Sequence, residues 1–131
     1  MPADSPLLAL GDEDFVSLTT FRKTGVAVAT TVWIGRDGDA LLVTTPRGTG
    51  KVKRIRNNPQ VELRPSNRMG HVRDGAPMVA AKAEILEDFE TAARLAKIFR
   101  KKYGLEWRIA MWLEGLRRKS PTVRVVLRLT A

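Results

Sequence analysis

The stretch 18–45 alternates runs of strand length with short turns, and this pattern restricts the chain to folds built around an antiparallel sheet. Thr, Val, Trp and Ile dominate the runs, and these residues favour extended backbone. The intervening segments "RKTG" and "GRDGD" contain the Gly and Asp residues that are typical of tight turns. The predicted strands, joined by hairpins, are 18–22, 26–34 and 40–45.

Later segments predict three more strands. "PQVELRPS" alternates apolar and polar residues, "PMVAAKAEIL" is another run of strand length, and "TVRVVLRLT" alternates again near the end of the chain. The polar, Gly-containing segment "NRMGHVRDGAP" indicates a loop or hairpin between the first two of these strands.

Helices are predicted in three places. "GDEDFVSL" begins with acidic residues ahead of apolar ones, which favours a short helix. Residues 49–58 stop before Pro59 and indicate a second short helix, and residues 88–119 indicate a two-helix insert before the last strand. In the first insert helix apolar residues repeat at helical spacing, at Phe89, Ala92, Ala93, Ala96 and Phe99. In the second, Leu105, Ile109, Trp112 and Leu116 lie along one side.

The predicted fold is therefore α+β and mostly β, with about six antiparallel strands closed into a barrel so that few strand edges stay exposed. Two short helices and the helical insert complete it. The chain has no internal repeat and no linker-like segment, so residues 1–131 are expected to form a single domain.

Composition excludes several classes of function. The 131 residues contain no Cys and a single His, which excludes disulfides, thiolate nucleophiles and His-rich metal sites. No apolar run is long enough to span a bilayer, and the N-terminus lacks the basic start of a signal peptide, so a cytoplasmic protein without a membrane span is expected. The net charge is +9, and residues 47–73 contain eight basic residues against Glu62 alone. Such a patch attracts an anionic partner without identifying it.

The segment 45–59, "TPRGTGKVKRIRNNP", lies at the centre of this charge. Thr49 suits the N-cap of the predicted helix, and Gly48 and Gly50 allow a ligand to approach the backbone closely. Lys51 and Arg54 fall on one face of that helix, one turn apart. A helix N-terminus with two cations has the outline of a phosphate site.

Other interpretations of these cations were considered. The cations are equally compatible with a solvated helix face. A P-loop is excluded because Val52 follows Lys51, where that motif requires Ser or Thr. A nucleic-acid interface is not expected, because aromatic residues make up 6% of the chain and none lies within residues 47–73 to stack on bases.

The composite pattern resembles a known family. "LTTFRKTGVAVATTVWIGRDGDALLVTT" followed by "GTGKVKRIRNNPQVEL" is similar to the pyridoxamine-phosphate-oxidase-like split β-barrel superfamily. Within it, the pattern looks most like the branch of enzymes, found mostly in actinobacteria, that use the deazaflavin coenzyme F420. The resemblance is dense over residues 18–65 and looser over "APMVAAKAEIL". Thr31 departs from the pattern, which has Pro at that position, and "PSNRMGHVRDG" departs from the usual loop.

The resemblance implies a six-stranded split barrel and a homodimer that holds its cofactor in a groove at the interface. By position in the motif, the cofactor phosphate would be held by Thr49, Gly50, Lys51 and Arg54, with Arg47 and Lys53 as helpers. The ring system would lie along residues 30–32, which are Thr30, Thr31 and Val32, with Thr44 nearby.

The implied activity is that of an oxidoreductase that transfers hydride from reduced F420 to an unsaturated organic substrate. The extra cations beyond the motif favour F420, because its acidic oligoglutamate tail continues past the phosphate. The alternatives are an FMN-dependent oxidoreductase of the same fold, a cofactor-binding carrier without turnover, and a nucleic-acid-binding module. No catalytic side chain is identifiable from the sequence, and no metal is expected.

Overall fold

The structure of the protein is a computed structural model that describes residues 5–117 and 123–131. Its centre is one antiparallel sheet of seven strands in the order β2-β1-β5-β6-β7-β4-β3. The strands are β1 (Phe15–Phe21), β2 (Ala27–Val32), β3 (Gly35–Asp37), β4 (Ala40–Pro46), β5 (Gln60–Ser66), β6 (Val79–Leu86) and β7 (Arg124–Thr130). The helices are α1 (Pro6–Ala9), followed by a 3-10 turn (Leu10–Asp12), then α2 (Gly50–Asn57), α3 (Phe89–Tyr103) and α4 (Leu105–Arg117).

The sheet curls around a single main core but does not close. Successive side chains point to opposite faces of the sheet, so each of the six longer strands turns one row of side chains into this core. These rows meet the buried faces of α1 and α2, where Val52 and Ile55 are the inward residues of α2. The predicted α+β antiparallel fold is confirmed and is consistent with a split barrel. The predicted closure is not seen, because β2 and β3 stay at the two ends of the strand order.

A second, smaller core lies on the outer side of the sheet. Leu42 of β4 and Val126 of β7 pack there against Leu95, Phe99 and Trp107 of the two long helices. The predicted two-helix insert before the last strand is confirmed, and it covers the outer face of β4 and β7.

One helix prediction and one strand-pairing prediction were wrong. The segment "GDEDFVSL" is not a helix: its first two residues end the 3-10 turn Leu10–Asp12, and β1 begins at Phe15. Val16 and Leu18 are fully buried between the strand partners β2 and β5, and this pairing overrides the local helix signal. The segment "GRDGD" contains a seventh strand, β3, which pairs with β4; the sheet pairs β4 with β3 and β7 and does not pair it with β2.

Of the apolar residues noted at helical spacing in α3, the structure buries Phe99 and exposes Phe89, at 86%. The buried residues of α3 are Thr91, Leu95 and Phe99. Asp88 caps the helix by accepting hydrogen bonds from the Thr91 backbone and hydroxyl, at 2.9 and 2.7 Å. This cap fixes where the helix starts and turns Phe89 outward.

In α4 the inward residue is Trp107, and the apolar side noted in the sequence is exposed at Leu105, Ile109 and Trp112. The side chain of Leu116 lies outside the described residues, as does most of the predicted stop "RRKSP". The three described residues share one side of α4, and that side faces away from the sheet.

Candidate functional site

The basic segment 45–59 contains the turn after β4 and the start of α2. Pro46 ends β4, and the chain turns within three residues to begin the helix after Thr49. The Thr49 hydroxyl donates to the Pro46 carbonyl at 3.0 Å, so this side chain stabilises the turn and does not cap the helix. The first backbone N–H groups of α2 are consequently not satisfied by the N-cap side chain and point at whatever lies in front of the helix.

Lys51 extends from this helix start toward β4. Its ammonium donates to the Thr45 hydroxyl at 3.1 Å, and the side chain is half-buried. Burial lowers the pKa of Lys51 below its usual value, and the positive charges of Arg54 and Arg124 lower it further. Among the described residues no carboxylate forms an ion pair with Lys51 or Arg54. An anion in front of α2 would relieve the repulsion between these cations.

Arg54 folds back over the first turn of its own helix. Its Nε donates to the hydroxyl of the fully buried Thr20 at 2.6 Å. A Cβ atom on Gly50 would lie 2.7 Å from the guanidinium Nη1. Gly50 is therefore required for this arginine conformation, and the guanidinium lies beside the free N–H groups of α2.

Arg124 is a third cation at the site, and it was not among the residues predicted from the sequence. Its Nε donates to the Thr44 hydroxyl at 3.1 Å and its Nη2 to the Thr44 carbonyl at 3.3 Å. Its Nη1 forms an ion pair with Glu114 of α4 at 2.5 Å. Arg124 reaches the site because β7 pairs with β4 so that Arg124 lies opposite Pro46. Only that long-range register, and no local motif, identifies it.

A cavity of about 220 Å³ lies beside these cations. It is lined by Thr31, Val32, Trp33, Thr44, Thr45, Pro46, Lys51, Trp107, Ala110, Met111 and Arg124. One wall is cationic and hydroxyl-rich, and the other is aromatic. Trp33 stacks on Tyr103 with ring centroids 4.5 Å apart and lies 5.8 Å from the Trp107 ring. An aromatic wall next to cations suits a planar ring system that carries an anionic group.

The loop after β5 forms a rim between β2 and α4. Gly70 has a φ of +83°, and a Cβ atom there would lie 2.5 Å from the Thr31 hydroxyl oxygen, so the loop backbone rests directly on β2. Arg68 of the same loop pairs with Glu106 of α4 and lies over the Phe15 ring, 5.0 Å from its centroid. The loop is thereby attached to both elements that border the cavity.

The predicted site residues divide into three groups. Thr31, Val32, Thr44 and Lys51 line the cavity. Thr49 and Gly50 lie at the adjoining start of α2, and the guanidinium of Arg54 reaches back to Gly50 from the last turn of the helix.

The remaining three point elsewhere. Thr30 faces the opposite side of β2, where its hydroxyl donates to the Leu18 carbonyl at 3.5 Å. Arg47 pairs with Glu87 at 3.0 Å, and Lys53 is exposed on α2.

Other kinds of site find little support in the described residues. Within residues 5–117 and 123–131 no cluster of three or more His, Cys, Asp or Glu residues is arranged to hold a metal ion. In the same ranges no helix is long and apolar enough to cross a membrane. His71 lines a separate cavity with Asn67 and Arg73, away from the aromatic wall.

Comparison with known proteins agrees with this fold. The family model described as pyridoxamine 5'-phosphate oxidase matches residues 8–131. No curated protein matches the chain significantly.

Several solved structures share the fold at low sequence identity. One named F420 reductase is 20% identical, covers 96% of this chain and 93% of its own, and superposes with a TM-score of 0.61. The heme storage protein HutZ of Vibrio cholerae is 14% identical over 96% of this chain and 88% of its own, with a TM-score of 0.67. General stress protein 26 of Bacillus anthracis is 18% identical over 99% and 89%, with a TM-score of 0.63. The family match spans nearly the whole chain, which therefore belongs to the pyridoxamine 5'-phosphate oxidase family.

Proposed function

We propose that the chain is an F420H2-dependent reductase that binds the coenzyme phosphate at the start of α2 and its ring system in the adjoining cavity. The observation that carries this proposal is the convergence of Lys51, Arg54 and Arg124 beside a cavity with an aromatic wall. Similarity in fold to a structure named F420 reductase adds support.

The charges of the site fit a phosphate with a further negative charge. Lys51, Arg54 and Arg124 carry three positive charges, and Glu114, the carboxylate paired with Arg124, removes one of them. A net charge of two suits the phosphodiester of F420 together with the carboxylate that follows it. It suits the phosphate dianion of FMN equally, and FMN is therefore the second candidate cofactor.

Within this function the residues of the chain bind the cofactor, orient its ring system and shield it from water. When bound, the reduced deazaflavin would supply a hydride to an electron-poor double bond of the substrate. Trp33 and Trp107 would exclude water from one side of the ring, and Thr31 and Thr44 would contact its polar edge. Among the residues that the structure describes, no carboxylate or imidazole lines the cavity, so we assign the proton that completes the reduction to solvent.

The binding test is a fluorescence titration of the purified chain with F420 and, in parallel, with FMN. Lys51→Ala/Arg54→Ala should weaken binding at least about a hundredfold, because two charge-assisted contacts are lost. The matched control is Lys53→Ala/Arg56→Ala, which removes the same charge from exposed positions of the same helix and should retain near-wild-type affinity.

The outcomes separate the candidates. Binding of F420 that is lost only in the first variant supports the proposal, and binding of FMN alone replaces the cofactor. Equal loss in both variants would mean that binding depends on general surface charge and not on this site.

Catalysis is tested separately, by steady-state oxidation of reduced F420 with unsaturated acceptors. Binding without oxidation would indicate that the chain is a carrier. A nucleic-acid binder would instead prefer a polyanion to the cofactor, with steep salt dependence.

A further inference from the structure

The outer face of α4 carries an apolar stripe that the proposed cofactor site does not use. The stripe consists of Leu105 (68% exposed), Ile109 (46%), Trp112 (65%) and Leu113 (39%). These positions recur at helical spacing, opposite the side on which Trp107 and Met111 line the cavity. The helix thus presents one apolar face to the protein and a second one outward. Contiguous exposed apolar surface of this kind marks an interaction site.

The charges around the stripe are cationic. Both α4 carboxylates between Leu105 and Glu114 are held by arginines from other elements: Glu106 by Arg68 and Glu114 by Arg124, each at 2.5 Å. The acidic side chains of the helix are therefore neutralised.

Within residues 5–117 and 123–131, Arg108 at the border of the stripe forms no salt bridge. Arg108 is exposed, three residues after Leu105 and four before Trp112, so it flanks the stripe. The sequence after the stripe continues with three more basic residues, at positions 117–119. Met69, 76% exposed, adds an apolar side chain on the loop that Arg68 attaches to α4.

We propose that this outer face of α4 docks on a bilayer that contains anionic phospholipid. Leu, Ile and Trp side chains flanked by cations form the composition of helices that lie in the membrane interface, and Trp favours the headgroup level. The cations supply attraction to anionic headgroups. A second copy is the less suitable occupant, because pairing two such faces would bring Arg108 and its partner-copy equivalent together in a protein of net charge +9.

The test compares the full chain with matched variants in sedimentation with vesicles of phosphatidylcholine, alone or mixed with phosphatidylglycerol. Leu105→Ser/Ile109→Ser removes apolar surface without changing charge and should lower partitioning onto the mixed vesicles at least about tenfold. The control Phe89→Ser removes a large apolar side chain from α3 that is more exposed than Leu105 or Ile109, and it should partition like the wild type. Simple electrostatic adsorption of a basic protein would treat all three alike and would overturn the proposal.

A second measurement locates the contact. Trp112 is the most exposed of the tryptophans, so brominated lipid in the mixed vesicles should quench its fluorescence. Trp112→Phe should keep most of the vesicle binding and lose that quenching. Quenching that persists in Trp112→Phe would place the membrane contact elsewhere. If Leu105→Ser/Ile109→Ser instead changes the oligomeric state without vesicles present, the stripe is covered by a second copy and the membrane proposal is wrong. These outcomes do not depend on cofactor binding.

Discussion

At the scale of single residues, Glu114 sets how much positive charge the site presents. Its carboxylate forms a salt bridge with Arg124, which in turn donates a hydrogen bond to the Thr44 hydroxyl at the edge of the cavity. Because the pair is partly exposed, breaking it should cost little stability, about 0–1 kcal/mol. Its effect on an anion in front of α2 should be larger, since removing a nearby negative charge strengthens every cation–anion attraction there.

Glu114→Gln should therefore tighten binding of the phosphate-bearing cofactor about three- to tenfold at low salt, and the gain should shrink as salt is added. The measurement is a fluorescence titration at several ionic strengths. Glu106→Gln is the control: it neutralises the other arginine-paired carboxylate of α4, which pairs at the loop and not at the cavity. Weaker binding in Glu114→Gln would show that Arg124 needs its partner to be oriented, and that the charge argument is wrong.

At the scale of elements, the end of α3 fastens the N-terminal segment to the sheet. The Lys102 ammonium donates to the carbonyls of Gly11, Glu13 and Ile34. The Tyr103 hydroxyl accepts from the Ile34 backbone N–H at 2.9 Å, and burial raises the pKa of Tyr103 to about 12. These hydrogen bonds fix the connection between β2 and β3. They also place the Tyr103 ring against Trp33, which lines the cavity.

Lys102→Met should lower the free energy of unfolding by about 1–3 kcal/mol, because three carbonyl groups lose their common donor in a partly buried place. Urea denaturation measures this. Lys101→Met makes the same chemical change at the neighbouring exposed position and should shift stability by less than about 0.5 kcal/mol. Equal effects in the two variants would mean that Lys102 acts through helix propensity or general charge.

The same elements show what a sequence can predict. Helix α2 was predicted because Val52 and Ile55 are spaced for one buried face and Pro59 ends the segment, which are local signals. The buried sides of α3 and α4 could not be predicted, because apolar residues occur on both sides of each helix and only packing against β4 and β7 selects one side. Arg124 was missed because the register of β7 against β4 joins residues about eighty positions apart. Local sequence pattern was therefore sufficient to predict the basic motif on α2, whereas the pairing of β7 with β4, which brings Arg124 to the site, could not be predicted from it.

At the scale of the whole molecule, the two halves of the sheet are covered unequally. Helices α3 and α4 pack on the outer side of β4 and β7, whereas the edge strand β2 exposes the small side chains of Ala27, Ala29 and Thr31. Ala29 and Thr31 lie opposite Thr19 and Ser17 of β1, which are buried. This small-residue face of β2 is suited to close approach by a second copy. Because Thr31 also lines the cavity, a second copy on this face would border the cofactor site.

We therefore expect the homodimer to form through this face and to be disrupted by Ala29→Glu. The side chain of Ala29 is exposed in the single chain, so the substitution should leave the monomer folded while placing two carboxylates against each other at a symmetric contact. Sedimentation velocity should show a dimer for the wild type and a monomer for the variant. Cofactor affinity should be lower in the monomeric variant, because its cavity lacks the border that the second copy supplies. Ala93→Glu, the same change on the exposed side of α3, should stay dimeric. A wild type that is monomeric at micromolar concentration, or a dimer that survives Ala29→Glu, would assign the small-residue face another role and leave the cavity complete within one chain.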